Sequence, residues 1–294
     1  MASILLLGST GQVGVELQKL LTEADLHVLS RRDVDLTDED ALRSVIRRIR
    51  PEFIVNAAAY TAVDRAESEP DLARSVNANA PTILAEEARL LNAWLLHFST
   101  DYVFDGSNGR PWIESDAPAP LSVYGRTKLE GEQGIASAGC RYLIFRTSWV
   151  YASHGNNFLR TMLRLAKERD RLTIVDDQIG APTSANELAR ATGSILTKLS
   201  DKASPPLGSG IYHMTCSGST TWFGFAQAIF ATLGRGNRVP EVIPISTEQY
   251  PTPATRPRNS VLNCDKLERA MGIRLAPWRA ALAEVIAELD LGAL

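Results

Sequence analysis

The sequence predicts an α/β protein with a doubly wound parallel sheet. In the first half of the chain, short apolar runs alternate with amphipathic stretches, the pattern of strands joined by crossover helices. A glycine-rich turn directly follows the first apolar run, where such sheets bind ligands. After Ser148 the alternation gives way to connections rich in glycine and proline. We therefore expect one region at residues 1–148 and a smaller, partly interleaved region at residues 149–294, some segments of which return to the first.

The individual elements follow from local patterns. Apolar runs predict the strands Ser3–Leu7, Leu26–Ser30, Phe53–Asn56, Trp94–Ser99 and Arg141–Arg146. Amphipathic stretches between them predict the helices Gly11–Glu23, Glu39–Arg50, Asp71–Asn92 and Ser122–Ser137. In the second region, the predicted helices are Phe158–Arg169, Ser184–Leu199, Thr221–Leu233 and Pro277–Leu291. The proline-stiffened segment Tyr250–Pro257 is expected to cover a site.

Charge and cysteine content exclude several classes of function. The formal net charge is −3 with acidic and basic residues interspersed, so the sequence shows no basic stripe for a nucleic acid and no polybasic segment for an anionic membrane surface. Cys140, Cys216 and Cys264 are far apart and odd in number, which fits neither a disulfide framework nor a zinc site. The apolar run Ile4–Leu7 is too short for a signal peptide or a membrane span. We expect a cytoplasmic protein with a small-molecule partner.

The string GSTGQVG places Gly8, Gly11 and Gly14 between the first strand and the first helix. Small residues there let the backbone approach a pyrophosphate, while the positive end of the helix holds its charge. A tight turn without a ligand explains the same glycines equally well. At the end of the third strand, the small residues of Asn56–Ala62 leave room for a ligand, although packing of alanines against a helix is the commoner reason.

A hydroxyl, a phenol and an amine occur in an order that suits proton transfer. Thr100 follows the fourth strand, and Tyr124 and Lys128 stand four residues apart on one helical face. A lysine cation near a tyrosine lowers the phenol pKa from its ordinary value of ~10. Tyr124 is then a candidate proton donor to a carbonyl oxygen whose carbon receives hydride. An isolated Tyr-x-x-x-Lys is more often an ordinary surface pair, and the combination of signals carries the prediction.

These motifs stand in the order of the short-chain dehydrogenase/reductase family, which the chain resembles. Within its extended branch, the chain is similar to the dTDP-4-dehydrorhamnose reductases over nearly its whole length, in the strings VNAAAYTAVDRAESEP, STDYVFDG, YGRTKLEGE, FRTSWVY, GNNF, DQIGAPT and YPTPATRPRNSVLN. The resemblance implies a Rossmann-like NAD(P)-binding region, a substrate-binding region, and NAD(P)H-dependent reduction of dTDP-4-dehydro-L-rhamnose to dTDP-L-rhamnose. Two alternatives stay open: another nucleotide-sugar epimerase or reductase, and a non-catalytic regulatory subunit with the same fold.

The resemblance also implies roles for individual residues. Tyr124 would be the proton donor, Lys128 would bind the nicotinamide ribose, and Thr100 would hydrogen-bond the substrate carbonyl. The residues implied at the cofactor, besides this tyrosine and lysine, are Gly8, Gly11, Gln12, Val13, Gly14, Ala59, Tyr60 and Thr61.

Four further residues are expected at the substrate. The resemblance implies that Asp101 and Trp149 face the deoxysugar or its nucleotide, with a packed core aromatic as the alternative for Trp149. Arg256 and Arg258 would provide the cationic forks that a diphosphate needs, with a solvated basic pair as the alternative.

The end of the second strand predicts the choice of cofactor. Enzymes selective for NADH usually carry an acid there, which binds the ribose hydroxyls. Here the strand ends in Ser30, Arg31 and Arg32, and the first acid, Asp33, comes after both arginines. Guanidinium groups pair with phosphate, so we expect NADPH to be preferred and NADH to be the second cofactor. If the arginines point into solvent, both cofactors will be used comparably.

Metal binding is predicted only through the resemblance. The four histidines show no metal-ligand spacing, and none is assigned to catalysis. Some relatives are metal-bridged homodimers that use three glutamates, and the matching positions here are Glu16, Glu187 and Glu288, which would hold a magnesium ion. The alternative is that these side chains are solvated charges on helix surfaces.

Overall fold

A six-stranded parallel sheet forms the centre of the chain in the computed structural model, which describes residues 2–201, 203, 207–233 and 239–289. The strands in these residues are β1 (Ser3–Leu7), β2 (Asp25–Leu29), β3 (Phe53–Asn56), β4 (Trp94–Thr100), β5 (Arg141–Thr147), β6 (Val150–Tyr151), β7 (Arg171–Val175), β8 (Ile179–Gly180), β9 (Thr183–Ser184), β10 (Gly210–His213), β11 (Thr220–Thr221) and β12 (Glu241–Ile245). The α-helices in the same residues are α1 (Gln12–Leu20), α2 (Glu39–Ile49), α3 (Val63–Ala66), α4 (Pro70–Arg74), α5 (Ala80–Leu91), α6 (Val123–Ser137), α7 (Phe158–Glu168), α8 (Ala185–Ser200), α9 (Trp222–Ala231), α10 (Asp265–Met271) and α11 (Trp278–Ala287).

The order of the central strands is β10-β5-β4-β3-β1-β2, and all neighbouring pairs are parallel. From β1 the chain passes to β2 on one side and then crosses to β3 on the other side, so the connections diverge between β1 and β3. A crevice opens at such a point beyond the carboxyl ends of the strands. The predicted doubly wound, Rossmann-like sheet is confirmed, and the five strands predicted in the first half agree with β1–β5 to within one residue.

Apolar side chains that alternate along the strands build a separate core on each face of the sheet. Leu6 of β1 and Phe145 of β5 join the core beneath α1, α7, α8 and α9. Leu5 and Ile144, each one residue earlier, join the core beneath α2, α5 and α6. Successive strand residues point to opposite faces, so a strand covered on both faces must be apolar throughout. This explains why continuous apolar runs marked the strands.

The second half of the chain contributes the sixth strand of the sheet, because β10 pairs with β5. It also forms three two-stranded sheets, β7 with β12, β8 with β11, and β6 with β9, within the described residues. The predicted boundary between residues 148 and 149 stays a prediction. The helix predicted to reach Leu291 ends at Ala287, and residues 290–294 lie outside the described part of the chain. None of the described helices is long and apolar enough to cross a membrane.

The helix predicted at Asp71–Asn92 is present as one uninterrupted helical run, in which a wider π-helical turn at Ser75–Asn79 joins α4 to α5. Pro81 accounts for the widening, since it has no N–H to donate to the carbonyl of Asn77 four residues earlier. The turn places the side chain of Asn77 in the interior, where it is fully buried.

Candidate active site

A cleft of 520 Å³ opens beyond the carboxyl ends of the central strands. Its walls are the glycine turn after β1, the chain after β2, the small residues after β3, and the face of α6 that carries Tyr124 and Lys128. Motifs that are far apart in the sequence therefore meet in one cavity, at the point where the strand connections diverge.

The glycine turn leaves an open helix end in the cleft. Gly8 has φ +77°, and a Cβ there would overlap the backbone of Ala58 in the neighbouring strand connection. A Cβ on Gly14 would overlap the carbonyl oxygen of Gly8, so the helix can approach the strand only without side chains. Helix α1 has no side-chain cap and no acidic residue in its first turn. Its first N–H groups are therefore available to an anion beside Gln12 and Val13, which line the cleft.

The small residues after β3 form the middle of the cleft wall. The cavity is lined there by Ala59, Tyr60 and Thr61, the residues that were predicted to lie beside the cofactor. Asn77 holds the backbone of Tyr60 from both sides: its Oδ1 accepts from the Tyr60 N–H at 2.8 Å, and its Nδ2 donates to the Tyr60 carbonyl at 3.1 Å. Asn77 was not selected from the sequence. The signal that marks it is Pro81, which interrupts an otherwise regular helical pattern.

The chain after β2 places Ser30 and Arg31 in the lining of the cleft, whereas Arg32 lies outside that lining. The sequence predicts a hydroxyl and two arginines nearest the ribose, with the first acid after them. The structure places the hydroxyl and one arginine at the cleft, but it also brings two acids, Asp33 and Asp35, to this corner. The chain turns back after β2, so that the Ser30 hydroxyl and N–H both donate to Asp33, at 2.6 and 2.7 Å, and lower the pKa of Asp33. The exposed guanidinium of Arg31 lies 3.8 Å from Asp35. Arg31 thus shares this corner with two carboxylates.

Helix α6 presents Tyr124 to the cleft from its first turn. Ser122 caps the helix, because its hydroxyl accepts a first-turn backbone N–H at 3.1 Å. The Tyr124 ring stands edge-on to Tyr102, with ring centroids 5.7 Å apart. Burial raises the pKa of Tyr124 to about 12, the Thr100 hydroxyl opposes this change, and the charge of Asp101 adds to it. The phenol therefore keeps its proton near pH 7.

Lys128 lies one turn later and is buried in the wall of the same cleft. Its Nζ donates to the Phe98 carbonyl at 2.6 Å and lies 3.1 Å from Nε2 of His97. Burial lowers the pKa of Lys128 to about 7, against the opposing charge of Glu132. In this structure the pKa of Tyr124 is raised by burial rather than lowered, and the contacts of the Lys128 amine are with Phe98 and His97. That Lys128 tunes Tyr124 stays a prediction.

Thr100 and Asp101 meet Tyr124 at the end of β4. The Thr100 hydroxyl donates to Asp101 at 2.9 Å and accepts the N–H of Tyr102 at 3.2 Å. Burial raises the pKa of Asp101 to about 7, although the hydroxyls of Ser260 and Thr100 lower it. A buried acid that titrates near neutrality thus stands beside the phenol.

Trp149 adopts φ +48°, the left-handed region that a bulky residue rarely enters. Its ring lies parallel to that of Trp222, with centroids 3.5 Å apart and an angle of 8° between the planes. Gly180 packs against the same ring, and a Cβ at that position would overlap it. The structure therefore places Trp149 in an aromatic pair outside the lining of the cleft, and its contact with substrate stays a prediction.

The two arginines predicted for a diphosphate are both paired with acids. Arg256 donates to both carboxylate oxygens of Asp64, at 2.8 and 3.1 Å, and so fastens Tyr250–Pro257 to α3. Arg258 is exposed and lies 2.8 Å from Glu248. Arg256 is thus mostly buried and held in place, whereas Arg258 is a surface ion pair. Binding of the substrate by either residue stays a prediction.

The glutamates considered for a metal lie at the packed surface of α1, α8 and α11. Glu16 and Glu187 are buried, so the alternative that they are solvated charges is wrong; α1 packs against α8 and covers them. Glu16 contacts Lys19 and His154, each at 2.8 Å, and Glu187 accepts a backbone N–H at 2.7 Å. Glu288 is exposed. The described residues of one chain contain no group of acids, histidines or cysteines that could hold a metal, and we derive no step through one.

The cleft is also lined by residues that were not selected as site residues, among them Thr147, Val150, Gly155 and Asn156. The last two belong to the string GNNF, so the resemblance carried a signal for them. Thr147 ends β5 beside Thr100, and its position follows only from the strand register.

A family model described as the RmlD substrate binding domain matches residues 1–291 of the chain. Among curated proteins, the chain is 45% identical to a protein of Escherichia coli (strain K12) named dTDP-4-dehydrorhamnose reductase, over 98% of both chains.

Solved structures give the same result. A crystal structure of dTDP-4-dehydrorhamnose reductase from Bacillus anthracis in complex with NADP has a TM-score of 0.90 and 35% identity, and the match covers 98% of this chain and 99% of that one. A dTDP-4-dehydrorhamnose reductase structure from Clostridium acetobutylicum has a TM-score of 0.90 and 38% identity, over 97% and 99% of the two chains.

Proposed function

The chain belongs to the family of the RmlD substrate binding domain, and on that premise we propose that it is an NAD(P)H-dependent reductase of a nucleotide-linked 4-keto sugar. The proposed substrate is dTDP-4-dehydro-L-rhamnose and the proposed product is dTDP-L-rhamnose. The observation that carries the proposal is that Tyr124 and Lys128 line the same cleft as the open N-terminus of α1.

The residues in the cleft fit a dinucleotide. The glycine turn lets the helix approach the strand closely, because a Cβ at Gly8 or Gly14 would overlap backbone atoms. Gly11 would lie under a pyrophosphate, and the uncapped helix end would donate N–H groups to it at Gln12 and Val13. Ala59, Tyr60 and Thr61 would lie along the cofactor, and Lys128 would reach its ribose. A reduced nicotinamide supplies hydride to the carbonyl carbon when it is bound.

Proton transfer is the task of Tyr124. Its phenol is protonated near pH 7, so Oη can give its proton to the sugar oxygen as negative charge develops there. The O–H bond of Tyr124 breaks, the new O–H bond of the product forms, and the charge remains on the phenolate. Thr100 would turn its hydroxyl proton from Asp101 to the same sugar oxygen, and Asp101 beside it would bind the sugar.

The sugar nucleotide is proposed to contact three further residues. Trp149 would offer its ring to the deoxysugar or its base, while Arg256 and Arg258 would bind the diphosphate. The ion pair with Asp64 holds the guanidinium of Arg256 in one orientation before any substrate binds. This supports diphosphate binding by Arg256 more than by Arg258, which is exposed.

Preference for NADPH is proposed from Arg31. This residue lines the adenosine end of the cleft and can pair with a 2′-phosphate, although Asp33 and Asp35 stand nearby and oppose it. NADH remains the second cofactor. A homodimer in the cytoplasm is also proposed, and three free cysteines fit a reducing compartment. Magnesium at the glutamates would need a partner's carboxylates, so a change of oligomeric state with magnesium would test both ideas.

A panel assay tests the proposed function against its rivals. Purified protein is incubated with NADPH and several nucleotide 4-keto sugars, and loss of nicotinamide absorbance is followed. A reductase will consume NADPH in step with one sugar. An epimerase will change the sugar without net consumption of NADPH, and a regulatory subunit will bind without turnover.

A further inference from the structure

The carboxylate of Glu67 reaches the first turn of the helix that carries Tyr124. Glu67 directly follows α3, and its Oε1 accepts the backbone N–H of Val123 at 2.8 Å, across 56 positions of the chain. Val123 is the first residue of α6, and Tyr124 is the second. The contact therefore ties the start of the catalytic helix to a distant segment that comes after β3.

Tyr124 lies between two backbone N–H groups that side chains bind. The first N–H groups of a helix have no partner within the helix. The Ser122 hydroxyl accepts the N–H of Gly125, the residue after Tyr124, at 3.1 Å. Glu67 accepts the N–H of Val123, the residue before it. The backbone on both sides of Tyr124 is thus held, once by a local cap and once by a distant acid.

Glu67 also supplies a negative charge that the start of α6 lacks. The first turn of α6 contains no acidic residue, although the positive end of a helix favours one. A carboxylate that accepts a backbone N–H makes a stronger hydrogen bond than a neutral oxygen does. The bond to Glu67 therefore opposes fraying of the turn from which Tyr124 enters the cleft.

The segment that carries Glu67 is itself fixed. Ala66 is fully buried, and Asp64 on the same short helix binds Arg256 through both carboxylate oxygens, at 2.8 and 3.1 Å. Shortly before this helix in the chain, Tyr60 lines the cleft. Glu67 thus holds α6 against the same segment that forms the wall proposed for the cofactor.

We propose that Glu67 is a positioning residue, which fixes the distance between the Tyr124 phenol and the cleft wall at residues 59–61 by holding the start of α6. The proposal rests on the proposed reductase function for its catalytic consequence. Proton transfer needs the donor within hydrogen-bond reach of the sugar oxygen while the neighbouring carbon receives hydride. A displacement of about 1 Å lowers such a rate on the order of 10²-fold, so the hold on the residue next to Tyr124 matters for kcat.

The first test reads the position of Tyr124 and needs no activity. In protein labelled with ¹³C-tyrosine, the edge-on ring of Tyr102 shifts the ring signals of Tyr124, and Tyr124→Phe identifies them. Glu67→Met keeps the length of the side chain but removes the oxygen that accepts, and we expect the Tyr124 signals to move. Glu67→Gln keeps an oxygen at the same place and should restore them.

Two results of this test would overturn the proposal. One is a set of Tyr124 signals that stay in place in Glu67→Met. The other is a Glu67→Gln protein whose Tyr124 signals move as far from the wild-type positions as those of Glu67→Met. The second result can be obtained by comparison with the wild type even if Glu67→Met does not fold.

The second test separates kcat from cofactor binding. Asn77 holds the backbone of Tyr60 independently of Glu67, so the dissociation constant for NADPH should stay within about twofold in Glu67→Met. Chemistry-limited kcat should fall roughly tenfold to 10²-fold in this variant. Glu67→Gln should retain kcat within about threefold of the wild type, because it keeps the hydrogen bond without the charge. An unchanged kcat in folded Glu67→Met, or an equal loss of kcat and NADPH binding, would contradict the proposal.

Asp71→Ala is the matched control, because it removes a neighbouring acid whose side chain is 99% exposed. It should change neither the Tyr124 signals nor kcat. Equal changes in Asp71→Ala and Glu67→Met would refute the positioning role, since they would follow from the loss of a charge alone. A protein that lacks reductase activity but shows the expected movement and restoration of the Tyr124 signals would refute the proposed function and leave the positioning of Tyr124 by Glu67 standing.

Discussion

The role of Tyr124 yields the sharpest prediction. Tyr124→Phe keeps the ring and its edge-on contact with Tyr102, and removes only the hydroxyl. Because the pKa of Tyr124 is raised to about 12, nearly every molecule carries the phenolic proton between pH 6 and 9, and the wild type loses no rate from ionisation of this group there. Loss of a general acid lowers kcat by ~10²–10⁴-fold, or about 3 to 5 kcal/mol in the activation barrier.

The assay is steady-state reduction of dTDP-4-dehydro-L-rhamnose with NADPH, where a kinetic isotope effect with 4-deuterated NADPH shows that chemistry limits kcat. The dissociation constant for NADPH should stay within about twofold, since the Tyr124 ring is kept and the other residues proposed at the cofactor are unchanged. Tyr102→Phe is a matched control, because it loses a hydroxyl from the neighbouring ring and should retain most of the rate. Wild-type kcat in Tyr124→Phe under chemistry-limited conditions would refute the assignment of Tyr124 as the proton donor.

Three further predictions test other parts of the site. Lys128→Ala should raise the KM for NADPH about tenfold or more and lower kcat, because one amine would serve both the ribose and the phenol; unchanged NADPH binding would remove it from the ribose. Trp149→Ala should raise the KM for the sugar nucleotide and leave NADPH binding nearly intact, whereas equal loss of both with a lower Tm would mean that its stack on Trp222 is purely structural. Arg31→Ala should lower kcat/KM for NADPH about tenfold and leave that for NADH unchanged, while Arg32→Ala, outside the cleft lining, should change neither. A wild type that favours NADH would contradict the NADPH preference.

Residues whose placement depends on local chemistry could be predicted from the sequence. The buried strands are continuous apolar runs because both faces of the sheet are covered, so the position of Leu5 or Ile144 follows from the pattern alone. A parallel sheet brings the carboxyl ends of its strands to one edge. The glycine turn after β1 was therefore expected there, and the four-residue spacing put Tyr124 and Lys128 on one face of a helix; all of them line the cleft.

Properties that depend on contacts between distant segments could not be predicted. Four-residue spacing puts Tyr124 and Lys128 on one face, but it does not show that the Lys128 amine contacts His97, 31 positions away in the chain, or that burial lowers its pKa. The carboxylate of Asp33 reaches Ser30 only because the chain turns back after β2. The sequence pattern favoured a solvated charge at Glu16, but α8 packs against α1 in the structure and Glu16 is buried. In each case a polar group found its partner through tertiary packing, which local pattern does not encode.

Transfer of the hydrogen from the cofactor to the sugar tests the central claim most directly. The protein is incubated with dTDP-4-dehydro-L-rhamnose and NADPH deuterated at the transferring position of C4, and the sugar nucleotide is analysed by mass spectrometry and NMR. The account predicts one NADPH oxidised for each product formed, with a single deuterium on C4 of dTDP-L-rhamnose. Absence of deuterium from the sugar, or conversion of the sugar without oxidation of NADPH, would contradict it.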